Sequence, residues 1–199
     1  MTELGVFSMN SCGLSNDKKR REVFYYLQNS KHSLFILQET HSTPESERRW
    51  KNEWGGEIIF SHGENNARGV CIMLKNNFNH IIHESVCDEE GRYVILDISV
   101  NDLRITLAAL YAPNHDCPEF FEKISNIAEN MPNDHRIIVG DFNCVQNLEK
   151  DKAGGRQATH TKAVSVIKAW MEETDLLDIW REMHPNDKTF TWRTRYQIG

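Results

Sequence analysis

Apolar residues in this 199-residue chain fall into short runs between polar turn clusters, and the spacing inside each run predicts its element. Residues 4–9 alternate enough for a strand, which ends at the turn-like cluster Asn10-Ser11-Cys12-Gly13. Residues 17–28 predict a helix, with Val23, Tyr26 and Leu27 recurring at spacings of three and four. Residues 34–39 read as a second buried strand that closes on a carboxylate, Glu39. A helix begins near Pro44, with Ser42 or Thr43 as its cap. Strands follow at 57–60, 70–74 and 80–82, with residues 63–69 as a loop. Residues 92–100 and 103–110 flank Asn101-Asp102, the signature of a tight hairpin. Asp116-Cys117-Pro118-Glu119 reads as the capped start of a helix running to about Asn130, which Met131-Pro132-Asn133 stops.

The run Ile137-Ile138-Val139 predicts a strand buried on both faces. Gly140 then lets the backbone turn or approach a ligand closely. If the extended conformation persists, Asp141 and Asn143 point to one side and Phe142 into the core. The alternative is a strand that simply runs into an Asx turn. Beyond Asn143 the chain is polar up to residue 157. Residues 161–173 predict an amphipathic helix on Val164, Ile167 and Met171, and residues 175–180 a shorter helical turn. His184-Pro185-Asn186-Asp187 is a loop, and Thr189-Phe190-Thr191-Trp192 is the last strand-like piece. Strands interleaved with helices, and hairpin-linked strands in the middle, predict a mixed α/β domain in which helices cover a two-sheet core. No internal boundary is visible, so residues 1–199 are expected to form one domain.

Composition narrows the partners. No apolar segment approaches the ~20 residues that span a bilayer, so no membrane association is expected. The amino terminus lacks a basic region followed by an apolar one, which argues against secretion. Five cysteines, Cys12, Cys71, Cys87, Cys117 and Cys144, are scattered and odd in number. They predict neither a disulfide framework nor a zinc site, and a reducing nuclear or cytoplasmic compartment is expected. A net charge of −6 excludes a protein that coats nucleic acid by bulk electrostatics. It does not exclude an enzyme acting on phosphates, because a bound cation reverses the sign that the substrate sees. The basic run Lys18-Lys19-Arg20-Arg21 opposes the dipole of its helix and is either a solvated face or a phosphate-facing patch. His80 and His83, three apart in a strand-like run, are read as ordinary strand residues. With no Gly-x-Ser-x-Gly elbow, a Ser-His-Asp hydrolase is poorly supported.

Four predicted strand ends carry polar residues in apolar surroundings: Asn10, Glu39, Tyr111, and Asp141 with Asn143. Sites in α/β sheets collect beyond the carboxyl ends of strands. If these ends converge, two carboxylates, two amides and a phenol surround one hollow. Oxygen ligands of that kind suit a hard cation such as Mg²⁺.

The ordered set Asn10, Gln38-Glu39-Thr40, Tyr111-Ala112-Pro113-Asn114 and Gly140-Asp141-Phe142-Asn143 resembles the endonuclease/exonuclease/phosphatase superfamily, in particular the endonuclease domain of LINE-type (non-LTR) retrotransposons. The resemblance implies a DNase I-like four-layer α/β/β/α sandwich and Mg²⁺-dependent hydrolysis of DNA phosphodiesters, with Mn²⁺ as an alternative cation. It implies that Glu39 binds the metal and that Asn10 lies near both metal and phosphate. Tyr111 would contact the scissile phosphate, Asp141 would orient or deprotonate the attacking water, and Asn143 would help hold the phosphate. Thr189 would place a hydroxyl near the DNA backbone. A reverse transcriptase in the full protein is the implied partner. Basic residues Arg68, Lys150, Lys152, Arg156, Arg193 and Arg195 are further candidates for phosphate contacts, each weighed against an ordinary solvated charge.

The chain also departs from the family. A Ser-Arg-x-Asp strand motif and a later Asp-His pair have no counterpart before Gly199. The expectation is therefore a domain incomplete at its carboxyl terminus, lacking the last strand or strands of one sheet and little active by itself. Two rivals stand beside the retroelement reading: a repair nuclease resembling exonuclease III and abasic-site endonucleases, and an inactive remnant that only binds metal or DNA.

Overall fold

The computed structural model describes residues 4–151 and 160–188. Two compact units emerge: one runs through Ala112 and resumes from Ile124 to Phe142, and the other joins Pro113–Lys123 to the described residues from Asn143 onward.

The first unit holds two four-stranded sheets. One is built from β1 (Val6–Asn10), β2 (Leu34–Gln38), β3 (Glu57–Ser61) and β4 (Val70–Leu74), in the order β1-β2-β4-β3. β1 runs parallel to β2, pairing Asn10 with Gln38, and β4 is antiparallel to both its neighbours. The other sheet is β5 (His80–Cys87), β6 (Tyr93–Val100), β7 (Leu103–Tyr111) and β8 (Arg136–Asp141), in sequence order. Its first three strands form an antiparallel meander, with Asn101 at φ +54° in the β6–β7 turn as the tight hairpin requires. β8 then pairs parallel to β7 and sets Tyr111 beside Asp141.

Alternation along the strands sorts the core into layers. Leu34, Ile36, Val70, Ile72 and Leu74 of the first sheet pack against Val94, Leu96, Ile98, Ile105, Leu107 and Ala109 of the second. The opposite face of the first sheet, with Phe35, Leu37, Cys71 and Met73, is covered by α1 (Asp17–Asn29) and α2 (Pro44–Trp54) through Phe24, Leu27, Trp50 and Trp54. β2 and β4 are buried along their whole length, as their unbroken apolar runs predict.

Several elements depart from the sequence expectation. Tyr26 of α1 is exposed, and Arg20 takes its place on the buried face with Phe24 and Leu27. β8 is half-buried throughout, because an edge strand is covered on one side only. Gly140, at φ +147°, makes its close approach to β7: a Cβ there would lie 2.0 Å from the Leu110 carbonyl oxygen.

The second unit contains α4 (Leu148–Asp151), α5 (Thr161–Thr174), α6 (Ile179–Met183) and the first half of α3 (Pro118–Glu129). Asp116 does not cap α3. Its carboxylate accepts from the amides of Lys162 at 3.2 Å and Ala163 at 2.9 Å, and so caps α5. α5 buries Ala163, Ile167 and Trp170, while Val164 and Met171 are only half-buried. The helical turn expected at 175–180 begins later. Asp175 closes α5 in the left-handed region at φ +55°, and Asp178 caps α6 by accepting from the Arg181 amide at 3.0 Å. The strand expected at Thr189–Trp192 lies outside the described residues.

Candidate active site

β1 and β2 end side by side in one sheet, and β7 and β8 end side by side in the other. Two side-chain hydrogen bonds cross between the sheets at these ends. Asn10 Nδ2 donates to Asp141 Oδ2 at 3.0 Å, and Tyr111 Oη donates to Glu39 Oε1 at 2.5 Å. Asn10 with Asp141, 131 positions apart in sequence, and Glu39 with Tyr111 thus form two bridges, which the register of Tyr111 beside Asp141 sets next to each other.

Asn10 is oriented from both ends of its amide. Its Oδ1 accepts from the Cys12 amide at 3.0 Å while its Nδ2 faces the Asp141 carboxylate. The Tyr111 phenol is driven strongly toward its protonated form, first by burial and then by its bond to Glu39 and the nearby charge of Asp141, against a smaller opposing pull from Arg92. It is therefore a donor across the ordinary pH range.

Backbone conformation around the group is strained. Cys12 at φ +49°, Glu39 at φ +49° and His41 at φ +54° all occupy the left-handed region without being glycine, which costs roughly 1–2 kcal/mol each. A lattice of backbone bonds holds them there. Ser11 N reaches Gln38 O at 2.8 Å, Gly13 N reaches Glu39 O at 2.7 Å, and Leu14 N reaches Thr40 O at 2.9 Å, prolonging the β1–β2 partnership past the strands. On the far side Thr40 N and His41 N donate to Gly69 O and Arg68 O at 3.1 and 2.9 Å. Gly69, at φ +92°, has no room for a Cβ, which would lie 2.4 Å from Thr40 Oγ1.

The basic run of α1 is neither wholly a solvated face nor a phosphate-facing patch. Lys18 and Arg21 are exposed, but Lys19 Nζ donates to the carbonyls of Ser11 and Cys12 at 2.7 and 2.8 Å and so fixes the turn that carries Asn10. Arg20 is fully buried, gripping Glu53 through two bonds of 2.7 and 3.0 Å and Asp17 at 2.9 Å.

Asn143 opens the second unit at φ +48°. The chain has left the extended conformation there, so strand alternation no longer places its side chain with that of Asp141. Thr189, Lys152, Arg156, Arg193 and Arg195 lie outside the described residues. Lys150 bonds to the Pro185 carbonyl at 2.6 Å, and Arg68 pairs with Glu90 at 3.1 Å. His80 and His83 behave as ordinary strand residues, bonded to Glu57 and Ser99 respectively. Arg92 escaped the sequence reading; its guanidinium lies over the Tyr111 ring, 5.8 Å from the centroid. The available signal was its place at the start of a buried strand, opposite a strand that ends in the tyrosine. Ser42, His62 and Glu47 form a hydrogen-bonded row at 2.9 and 2.9 Å, yet Ser42 is fully buried, so the row braces Thr40 and offers no nucleophile.

The described residues hold no group of three or more His, Cys, Asp or Glu placed to bind a metal. The polar group offers carboxylate, amide and phenol oxygens instead.

No model of a known protein family matches the chain. Solved structures do. AP endonuclease LMAP from Leishmania major superposes with a TM-score of 0.74 at 16% identity, covering 97% of this chain and 72% of that one. The endonuclease domain of TRAS1, a telomere-specific non-LTR retrotransposon, superposes with a TM-score of 0.59 at 14% identity, covering 85% and 71%. The two facing sheets with flanking helices are thus the DNase I-like fold that these structures share. In sequence, the chain is 29% identical over 193 residues to the Transposon TX1 uncharacterized 149 kDa protein of Xenopus laevis; the match covers 95% of this chain and 14% of that protein's length.

Proposed function

We propose that this chain is a metal-dependent endonuclease that hydrolyses phosphodiester bonds in DNA, of the kind that nicks target DNA for a retroelement. The observation that carries the reading is the group of Asn10, Glu39, Tyr111 and Asp141, an acid–amide pair and an acid–phenol pair joined across two sheets. Each residue type has a task in attack on a phosphate. Asp141, steered by Asn10, orients a water and accepts its proton. The Tyr111 phenol, kept protonated by burial and by Glu39, donates to a phosphoryl oxygen as negative charge grows there. Asn10 supplies an amide donor for a remaining oxygen.

The donor chemistry fits a hard divalent cation such as Mg²⁺, or Mn²⁺, which takes one or two carboxylates and fills its other positions with water and phosphate oxygens. Glu39 would hold the cation, with the Asn10 amide as a further oxygen donor, and the cation would supply polarisation of the phosphate. On the retroelement reading the chain acts on DNA beside a reverse transcriptase, within a nuclear or cytoplasmic compartment. The similarity to a transposon protein favours that reading. The superposition on AP endonucleases favours a second, abasic-site repair, and a matched pair of intact and abasic duplexes distinguishes the two by which is cut faster.

The test is nicking of supercoiled plasmid in Mg²⁺. Asp141→Ala is expected to lower the rate ~10²–10⁴-fold, the usual worth of a general base, and Asn10→Ala ~10²–10³-fold. Cutting that survives Asp141→Ala undiminished would overturn the assignment.

A further inference from the structure

Arg92, which stands beside Tyr111, shares a carboxylate with a second arginine, Arg68. Arg92 lies over the phenol ring and donates from Nη1 to the Tyr111 carbonyl at 3.4 Å. Glu90 Oε2 is 3.1 Å from Arg68 Nη1 and 3.8 Å from Arg92 Nε. The side chains of Arg68 and Arg92 are 34% and 18% exposed, whereas that of Glu90 is 68% exposed. The cations are thus partly sunk into the surface, and the anion between them is the loose, solvated member.

Backbone holds the cations' two loops together. Gly69 N donates to Gly91 O at 3.0 Å, and the Arg68 carbonyl accepts from His41 N at 2.9 Å, two residues after Glu39. Gly91, at φ +74°, sits where a Cβ would lie 2.4 Å from Gly63 N. The Arg92 amide is fixed in turn by the Asp88 carboxylate at 3.1 Å. Two guanidinium groups drawn this close repel one another. Arg92 holds its proton less tightly than a free arginine, first because it is partly buried and then because Arg68 stands near. Glu90 is the carboxylate between the two, the charge of Asp88 acts on Arg92 as well, and donor capacity is left over, since each guanidinium carries five N–H groups. A phosphate, with its several oxygens, satisfies paired guanidinium forks better than a single exposed carboxylate does.

We propose that Arg68 and Arg92 form a second phosphate site for the polynucleotide backbone, next to the scissile position at Tyr111, and that Glu90 occupies it as an internal anion which DNA displaces. The proposal rests on the nuclease reading above and adds a contact flanking the reacting phosphate. Because exposed ion pairs are weak, the exchange of Glu90 for phosphate carries little penalty. The site is emptied by an outward swing of one solvated side chain, and the arginines stay where the loops put them.

Fluorescence anisotropy with a labelled duplex, in chelator to prevent cutting, reads the site directly. Glu90→Gln is expected to tighten binding roughly two- to fivefold at low salt, the worth of an exposed ion pair, and its neighbour Glu89→Gln to change it less. Arg68→Ala is expected to weaken binding and lower the slope of log affinity against log salt by about 1. The deciding comparison is Glu90→Gln in the Arg68→Ala background, where the gain should vanish. Equal gains from Glu89→Gln and Glu90→Gln, or a gain that persists without Arg68, would overturn the proposal in favour of a general charge effect. Inorganic phosphate is the probe that separates this inference from the nuclease reading. If the arginine Nε–H resonances of Arg68 and Arg92 shift with phosphate and the Glu90→Gln gain in DNA binding depends on Arg68, while plasmid is not nicked in Mg²⁺, the nuclease reading falls and the phosphate site stands. If DNA is nicked but the resonances and the double variant show no coupling, the anion site falls alone.

Discussion

Asp97 shows how much a single side chain of the second sheet is asked to hold. It is buried, accepts from Arg104 Nε at 2.8 Å and from Asn133 Nδ2 at 3.3 Å, and forms a second bond to Arg104. The Arg104 bond, outweighing burial, holds its carboxyl below the ordinary aspartate range. A depressed carboxylate stabilises the fold above its unfolded pKa of about 3.9 and loses that contribution as pH falls through the folded value. Because Arg104 is exposed, the contribution is modest, about 1 kcal/mol after screening by solvent. Asp97→Asn should therefore flatten the decline of urea stability below about pH 4 while costing about 1 kcal/mol at neutral pH. Parallel acid limbs for the two proteins would show that Asp97 does not titrate in this way. Asn10 and Glu39 are a different case, since their value lies in orientation. Each is aimed by backbone that an ordinary residue avoids, and the lattice from Ser11 to Leu14 absorbs the strain.

At the scale of elements, α1 is fastened by a charge and not by its apolar stripe alone. Arg20 lies fully buried, 5.2 Å from the Trp50 ring centroid, bidentate on Glu53 and bonded to the Leu14 carbonyl at 3.1 Å. Arg20→Ala leaves Glu53 with only its looser contact to Arg21 at 3.6 Å and strips that carbonyl of its guanidinium donor, and a loss of about 3 kcal/mol in chemical denaturation is expected. Arg20→Lys should recover little, because an ammonium cannot reproduce the fork. The same helix marks the limit of what could be read from the chain. Its boundaries were legible from spacing, but the burial of Arg20 depends on Glu53 of α2, which no local pattern announces. Strands β2 and β4 were legible because unbroken apolar runs admit few other fates, and β6 and β7 because the turn signal Asn101-Asp102 divides them. Asn10, Glu39, Tyr111 and Asp141 were legible for a related reason: each is the polar residue at which such a run stops. The extended conformation on which the pairing of Asn143 with Asp141 depended does not persist, because the backbone turns left-handed at Asn143. Arg92 and Glu90 gained meaning only when β6 was seen to deliver them to Tyr111.

For the whole molecule, a net charge of −6 has to coexist with the proposed affinity for a polyanion. The geometry keeps these separate: the apolar core lies between the sheets, and the acid–amide–phenol group sits at their common end. A cation held there belongs to chemistry and not to folding. Removing divalent cations with chelator should abolish plasmid nicking yet leave the thermal midpoint within a few degrees, with activity restored by Mg²⁺ or Mn²⁺. A large drop in the midpoint on chelation would mean that the metal also holds the structure.

Both bridges of that group, Asn10 to Asp141 and Tyr111 to Glu39, have one foot on each sheet. If this group carries the proposed reaction, reactivity is yoked to the thickness of the hydrophobic filling behind it. A lost methylene at Ile72 or Leu107, far from any phosphate, changes how the two halves of the reactive group meet, and displacements near 1 Å are enough to cost a hundredfold in rate. In this architecture the oil in the middle is a tuning element for the acid at the edge.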